Sequence, residues 1–158
     1  MPRLSPITSK DQVPPEYHDV VDTVTATIGN VRGPFTMVLH SPDFARVWSR
    51  QSAFFRTGSV VRDRARELAI LTVARERDCL FAWADHVGPA RAAGITDDVI
   101  AALRGGQDPA GLASEDADVV AYARALLRTN RVPRALFDRL IVRHDARWLV
   151  EQIHGTES

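Results

Sequence analysis

Three observations predict an all-helical protein. Apolar residues recur at intervals of three and four along most of the chain, which is the period of a helix face. Glycine, proline, asparagine and serine interrupt these runs where helix ends are expected. No stretch alternates apolar and polar residues as a half-buried strand does. We therefore expect an all-α fold of about six to eight helices, in a single domain over residues 1–158.

The first part of the chain carries two helix patterns. Residues 1–12 are polar and contain prolines, so we expect an extended lead-in. Pro14-Pro15 then opens an apolar pattern that predicts a helix as far as Gly29. The segment Arg32-Gly33-Pro34-Phe35 combines glycine and proline, which break a helix, so we expect it to be irregular and to lead through an apolar stretch to His40. Ser41 is a predicted N-cap, with proline and aspartate behind it, for a helix that ends at Gly58.

The second part is a succession of helices separated by short breaks. Thr96 and Ser114 are predicted N-caps, and Gly94 is a predicted C-cap. The predicted helices cover residues 63–75, 79–93, 97–104, 115–130 and 133–141, with a last apolar turn containing Trp148, Leu149 and Ile153. The helix over 63–75 is apolar on more than one side, so we expect it to be central.

Charge and cysteine content exclude several classes of function. Twenty basic residues balance twenty acidic ones, which is unlike a protein that binds nucleic acid or an anionic membrane. The single cysteine, Cys79, excludes an internal disulfide and the usual cysteine-rich zinc sites, and it indicates a reducing, cytoplasmic setting. The N-terminus has no signal-peptide core, and no run approaches about 18 apolar residues. We expect a small-molecule substrate, no metal and no cofactor.

A cluster of reactive side chains falls on one predicted helix face. Cys79, Trp83, His86 and Ala90 are spaced by four, three and four residues, so they share a face. Pro89 within this helix predicts a kink near His86, as often found beside a pocket. If the helix pairs antiparallel with the preceding one, Glu67 approaches His86. A buried carboxylate beside an imidazole forms an acid/base couple.

Structural interpretations of the same residues remain open. A lone histidine on an apolar face is more often part of a core than a catalyst, and Trp83 also suits a core. A lone cysteine commonly packs as a small hydrophobe. Glu67 also suits an ion pair with Arg64 or Arg66.

The motifs resemble those of one family. The run from Arg66 to Arg75, then Cys79, Trp83 and His86, and then residues 90–97, resembles the carboxymuconolactone decarboxylase and alkylhydroperoxidase D-like family. Further likeness at residues 32–42 and 121–132 extends it over most of the chain. The resemblance implies an all-helical alkylhydroperoxidase D-like fold that assembles as homo-trimers or hexamers. It also implies a further apolar helix after residue 153, and we expect this chain to lack that helix.

The resemblance implies two chemistries, and the sequence departs from both. The peroxidase-like branch has a glutamate, two cysteines and a histidine, but Ala82 stands at the second cysteine position. Only a route through Cys79 and an external thiol then remains. The decarboxylase-like branch often has a glutamate at that position, which leaves proton transfer to His86 with Glu67.

We therefore expect a decarboxylase-like enzyme that acts by acid/base chemistry on a small carboxylated or lactone-like molecule. His86 is the predicted general acid/base and Glu67 its partner. Cys79 and Trp83 are expected to line the pocket, and Arg32 or Arg91 to bind the substrate carboxylate. The alternatives are a thiol-dependent peroxidase that uses Cys79, and a catalytically degenerate oligomeric scaffold.

Overall fold

A computed structural model describes residues 3–144 and 146–156, with the side chains of residues 152–156 left undescribed. Helices are the only regular secondary structure in these residues, so the all-α prediction is confirmed. Within this described part of the chain, two short 3-10 turns, Lys10–Gln12 and Pro15–Tyr17, precede nine α-helices. These are α1 His18–Ile28, α2 Phe35–Val38, α3 Pro42–Thr57, α4 Asp63–Glu76, α5 Leu80–Ala92, α6 Asp97–Arg104, α7 Ser114–Thr129, α8 Arg134–Arg143 and α9 Ala146–Thr156.

The chain divides into two compact units, Met1–Gly58 and Ser59–Ser158. In the first unit α1 packs against α3, and an ion pair between Asp19 and Arg46 joins the two helices. The small apolar core of this unit consists of Ile7, Val13, Val20, Val21, Leu39 and Ala45. The chain thus has two compact units, and the expectation that residues 1–158 form a single domain remains a prediction.

One expectation for the first unit was wrong in detail. The lead-in is not extended throughout, because Lys10–Gln12 forms a 3-10 turn closed by Ser9 and the Gln12 amide. The irregular segment expected from Arg32 is confirmed as far as Pro34, and α2 begins at Phe35. Pro34 is the N-cap of this single helical turn, where its missing N–H costs no helical hydrogen bond.

In the second unit α4 is central, as its apolar composition predicts. It packs against α5, α6, α7 and α9, and Leu68 and Leu71 are fully buried. Trp148 and Leu149 bring α9 into the same core. Of the last predicted apolar turn, the Ile153 side chain lies outside the described residues, as do residues 157 and 158.

Two contacts fix the direction of α5 relative to α4. The backbone N–H of Cys79 donates to the carbonyl of Ala74 over 2.8 Å, which closes the connection between the helices. Glu67, further back on α4, meets His86, further along α5. The two helices therefore form an antiparallel hairpin.

A parallel neighbour completes the surroundings of α4. Arg64 pairs with Asp116, and Glu76 pairs with Arg128, two contacts that each span 52 positions of sequence. Since both contacts have the same separation, α7 runs parallel to α4 in a constant register.

Most helix ends agree with their sequence signals, and one does not. Gly94 and Asn130 adopt the positive φ angles that helix C-termini favour. Ser114 is not the N-cap of α7, since that position belongs to Ala113. The Ser114 hydroxyl instead accepts a hydrogen bond from Arg143 at 3.2 Å. Of the helices in the described part of the chain, none combines the length and apolar character needed to cross a bilayer.

Candidate functional site

The hairpin of α4 and α5 joins His86 to a buried carboxylate. His86 Nδ1 lies 2.8 Å from Glu67 Oε2, a hydrogen-bond distance. The Glu67 side chain is 6% exposed and the His86 side chain is 21% exposed. The approach of these two residues, predicted from the sequence, is therefore present.

This contact determines which ring nitrogen is available. An ionised carboxylate only accepts hydrogen bonds, so beside it Nδ1 is the donor. No group in the described part of the chain is seen to hydrogen-bond Nε2. In the neutral ring the lone pair then lies on Nε2, on a side chain that solvent reaches. The arrangement suits proton uptake and release at Nε2.

Arg66 is the second charged neighbour of Glu67. Its Nε lies 3.6 Å from Glu67 Oε1, and another of its nitrogens lies 2.7 Å from Asp63 Oδ1. Arg64, the other arginine considered from the sequence, bonds Asp116 and the carbonyl of Gly94 instead. Asp63 was not among the predicted site residues; the signal that could have found it is its place at the start of α4, three residues before Arg66.

The remaining members of the predicted helix face separate into core and surface. Trp83 and Ala90 are buried in the core of the second unit, in agreement with a core role for Trp83. Cys79 is exposed and occupies the N-cap of α5, so the expectation that it packs as a small hydrophobe was wrong. The helix runs from Leu80 to Ala92 with Pro89 inside it.

The two arginines predicted to bind a carboxylate are both exposed. Arg91 is exposed, and its Nε donates to Asp97 Oδ1 over 2.7 Å. Arg32 is an exposed residue of the first unit, between α1 and α2. Their role as carboxylate binders stays a prediction.

Three other carboxylates in the second unit bind permanently charged groups. Hydrogen bonds from Arg139, aided by the charges of Arg139 and Arg143, lower the Asp118 pKa below its usual value. Hydrogen bonds and charge from Arg128 likewise lower the Glu76 pKa. Burial alone would raise the pKa of Glu151, but hydrogen bonds led by that from Ser59 outweigh it and leave this pKa lowered.

No cluster that could hold a metal ion occurs among the described residues. Such a site needs three or more His, Cys, Asp or Glu side chains in one place, and the described part of the chain contains none. The chemistry that the contact between His86 and Glu67 offers directly is proton transfer at the histidine ring.

Comparison with known proteins agrees with the resemblance drawn from the motifs. The model of the carboxymuconolactone decarboxylase family matches residues 42–125, which is more than half of the chain and includes Glu67, Cys79 and His86. No curated protein matches the sequence. On the family match, this chain belongs to the carboxymuconolactone decarboxylase family.

Proposed function

We propose that this protein is an acid/base enzyme of the decarboxylase type that acts on a small carboxylated or lactone-like molecule. The observation that carries the proposal is the 2.8 Å contact between His86 Nδ1 and Glu67 Oε2. It orients the ring and leaves Nε2 for the substrate, the arrangement by which a carboxylate directs a catalytic histidine.

The proposed chemistry is proton transfer at Nε2. In decarboxylation, the substrate carboxylate leaves as CO₂ and its bonding electrons stay on carbon as an enolate. His86 in its imidazolium form then donates the Nε2 proton to that carbon. In isomerisation, neutral His86 first removes a proton beside a carbonyl and returns it at another carbon. Glu67 stabilises the imidazolium in both reactions and keeps its own charge.

The other predicted residues have supporting roles in this proposal. Trp83 and Cys79 line the substrate pocket, and Arg32 or Arg91 binds a substrate carboxylate through its guanidinium. No cofactor takes part. We further propose that the enzyme works in the reducing cytoplasm, in keeping with its one cysteine.

The test is turnover of a panel of carboxylated lactones and related enolisable acids by the parent protein and two variants. His86→Gln removes the acid/base group and is expected to abolish turnover. His40→Gln is the matched control, because His40 is an exposed histidine that bonds the backbone of Ser5. Turnover by His86→Gln at the rate of the control would overturn the proposal.

A thiol-dependent peroxidase is the second candidate, favoured by the exposure of Cys79 at the start of α5. The Cys79 thiolate would attack a peroxide, form a sulfenic acid and release water or an alcohol. An external thiol would then form a mixed disulfide with loss of water, and a second would release Cys79 and an external disulfide. Peroxide with a sulfenic-acid trap, read by intact mass, should label the parent and leave Cys79→Ser unlabelled. An unlabelled parent excludes this candidate.

Assembly as a trimer or hexamer is also a proposal. It is supported by large apolar side chains that the single chain leaves open, among them Leu80 and Val142, which are 80% and 86% exposed. Sedimentation should give a mass three or six times 17.5 kDa.

If the protein is instead a degenerate scaffold, His86→Gln will leave its biological role unchanged.

A further inference from the structure

The two oxygens of the Glu67 carboxylate have different partners. Oε2 meets the ring of His86, while Oε1 lies 3.6 Å from Arg66 Nε. The Arg66 side chain is 18% exposed, so this ion pair is largely shielded from solvent. Shielding strengthens the interaction relative to an ion pair on the surface. Arg66 is therefore placed to influence the state of Glu67.

The guanidinium of Arg66 is held at a second point. One of its terminal nitrogens donates to Asp63 Oδ1 over 2.7 Å, within the first turn of α4. A planar guanidinium bound at one edge to Asp63 has a restricted orientation toward Glu67. A series of contacts thus runs from the surface into the hairpin. Asp63 accepts a hydrogen bond from Arg66, Arg66 lies beside Glu67, and Glu67 bonds the ring of His86.

The charge of Arg66 bears on where the histidine proton lies. Burial disfavours an isolated carboxylate, whereas a neighbouring cation favours the ionised form. If Glu67 became a neutral acid, its hydroxyl would donate to Nδ1 and the ring proton would move to Nε2. Neutral His86 would then have no lone pair at the atom that must accept the substrate proton.

We propose that Arg66 is a positioning residue that keeps Glu67 as a hydrogen-bond acceptor and thereby keeps neutral His86 in its Nδ1–H form. The inference rests on the proposed function of His86, since it concerns how that residue is prepared for proton transfer. Arg66 does not contact substrate in this account. No proton passes to Glu67 when Nε2 is protonated, because Arg66 stabilises the carboxylate.

The test is ¹⁵N NMR of histidine-labelled protein at a pH where the ring is neutral, which distinguishes the two tautomers without any substrate. The spectrum of His86→Gln identifies the signals of His86 among the five histidines. The parent should show mainly the Nδ1–H form. In Arg66→Gln the Nε2–H form should become the major one, while Arg66→Lys should stay close to the parent.

Arg75→Gln is the matched control, since Arg75 lies on the same helix and also pairs with an aspartate three residues away, Asp78. It should leave the His86 signals unchanged. An unchanged tautomer in Arg66→Gln overturns the inference. If that variant does not fold, Asp63→Asn, which releases the guanidinium from its anchor, should give a partial shift toward Nε2–H. The absence of any shift there overturns the inference as well.

Kinetics separate this inference from the proposed function. Arg66→Gln should lower kcat about 10-fold to 100-fold, the range seen when groups that orient a catalytic ligand are removed, with KM nearly unchanged. Turnover by His86→Gln would remove the proposed function and leave the tautomer result standing. If His86→Gln loses turnover while Arg66→Gln keeps the tautomer and the kcat of the parent, the inference about Arg66 fails and the proposed function stands.

Discussion

Glu67 and Asp118 are both buried carboxylates of the second unit, but their partners differ. Asp118 accepts hydrogen bonds from Arg139 and Arg143, at 2.7 and 2.6 Å. Glu67 binds a histidine at 2.8 Å and has one arginine at 3.6 Å. Guanidinium groups stay charged at any ordinary pH, whereas an imidazole gains and loses its proton near neutrality. The two sites therefore differ in whether their charge can change.

We infer from this difference that the Asp118 cluster stabilises the fold and that the pair of Glu67 and His86 serves the reaction. The arginines at Asp118 join α7 to α8 and have no proton to exchange near neutral pH. The imidazole at Glu67 keeps a ring nitrogen that no group in the described part of the chain is seen to hydrogen-bond. We expect substitutions at the Asp118 cluster to change stability and substitutions at the Glu67 pair to change turnover.

Glu67→Gln should have the largest effect, because it removes the charge that stabilises the imidazolium. Turnover should fall about 100-fold or more, since one group of a directed acid/base pair commonly contributes that much. The free energy of unfolding should change by less than about 1 kcal/mol, because the amide keeps the shape and no longer buries a charge. Kinetics and denaturant unfolding of the same preparation measure both. A large loss of stability would place Glu67 with the structural carboxylates.

Asp118→Asn should show the opposite pattern. It should lower the free energy of unfolding by about 2 kcal/mol, between the values typical of exposed and of buried ion pairs, since both arginines lose their acceptor charge. Turnover per folded molecule should match the parent. Urea unfolding, together with active-site titration, measures the two quantities. A turnover defect in a fully folded Asp118→Asn protein would contradict the expectation that Asp118 affects stability and not turnover.

The stabilisation that Asp118 provides should also appear in the way the free energy of unfolding depends on pH. Hydrogen bonds from Arg139 hold the Asp118 pKa below its unfolded value of about 3.9. At about pH 4 the unfolded chain therefore binds more protons at Asp118 than the folded chain does. The stabilisation by ionised Asp118 is complete above the unfolded pKa and is lost as the pH falls through the folded pKa. The difference in stability between parent and Asp118→Asn should narrow below about pH 4. A constant difference down to pH 2 would contradict this prediction.

Arg134→Ala should have the smallest effect. Arg134 pairs with Asp138 on the surface of α8, and its side chain is mostly exposed. Such pairs rarely contribute more than about 0.5 kcal/mol, because solvent screens them. Thermal unfolding should be nearly that of the parent, and turnover should be unchanged.

The sequence predicted the helices because their signals are local. Gly94 and Asn130 end helices through backbone conformations that their own residue types favour. The turns at Lys10–Gln12 and Phe35–Val38 were missed, because segments of three or four residues are too short to show a period. From the sequence, the antiparallel pairing of α4 and α5 was only a condition for the approach of Glu67 to His86; the short connection between the helices accounts for it, because short connections make neighbouring helices antiparallel.

The site was predictable where it depended on that hairpin and not elsewhere. Helical spacing placed Cys79 on the face of His86, but Cys79 sits at the N-cap with a ψ angle of 86°, where the helical period no longer applies. Partners brought together by tertiary packing leave no local signal. His144, for example, stacks on Trp148 with ring centres 4.1 Å apart and lies near Glu115, and neither contact was predicted.

The central claim is that His86 exchanges a proton between substrate and solvent. Its most direct test is turnover in D₂O of the best substrate from the lactone panel, with the deuterium content of the product read by mass spectrometry. Decarboxylation should place one deuterium in the product formed by the parent and by His40→Gln, and His86→Gln should form no product. Deuterated product formed by His86→Gln at the parent rate would contradict the proposed role of His86.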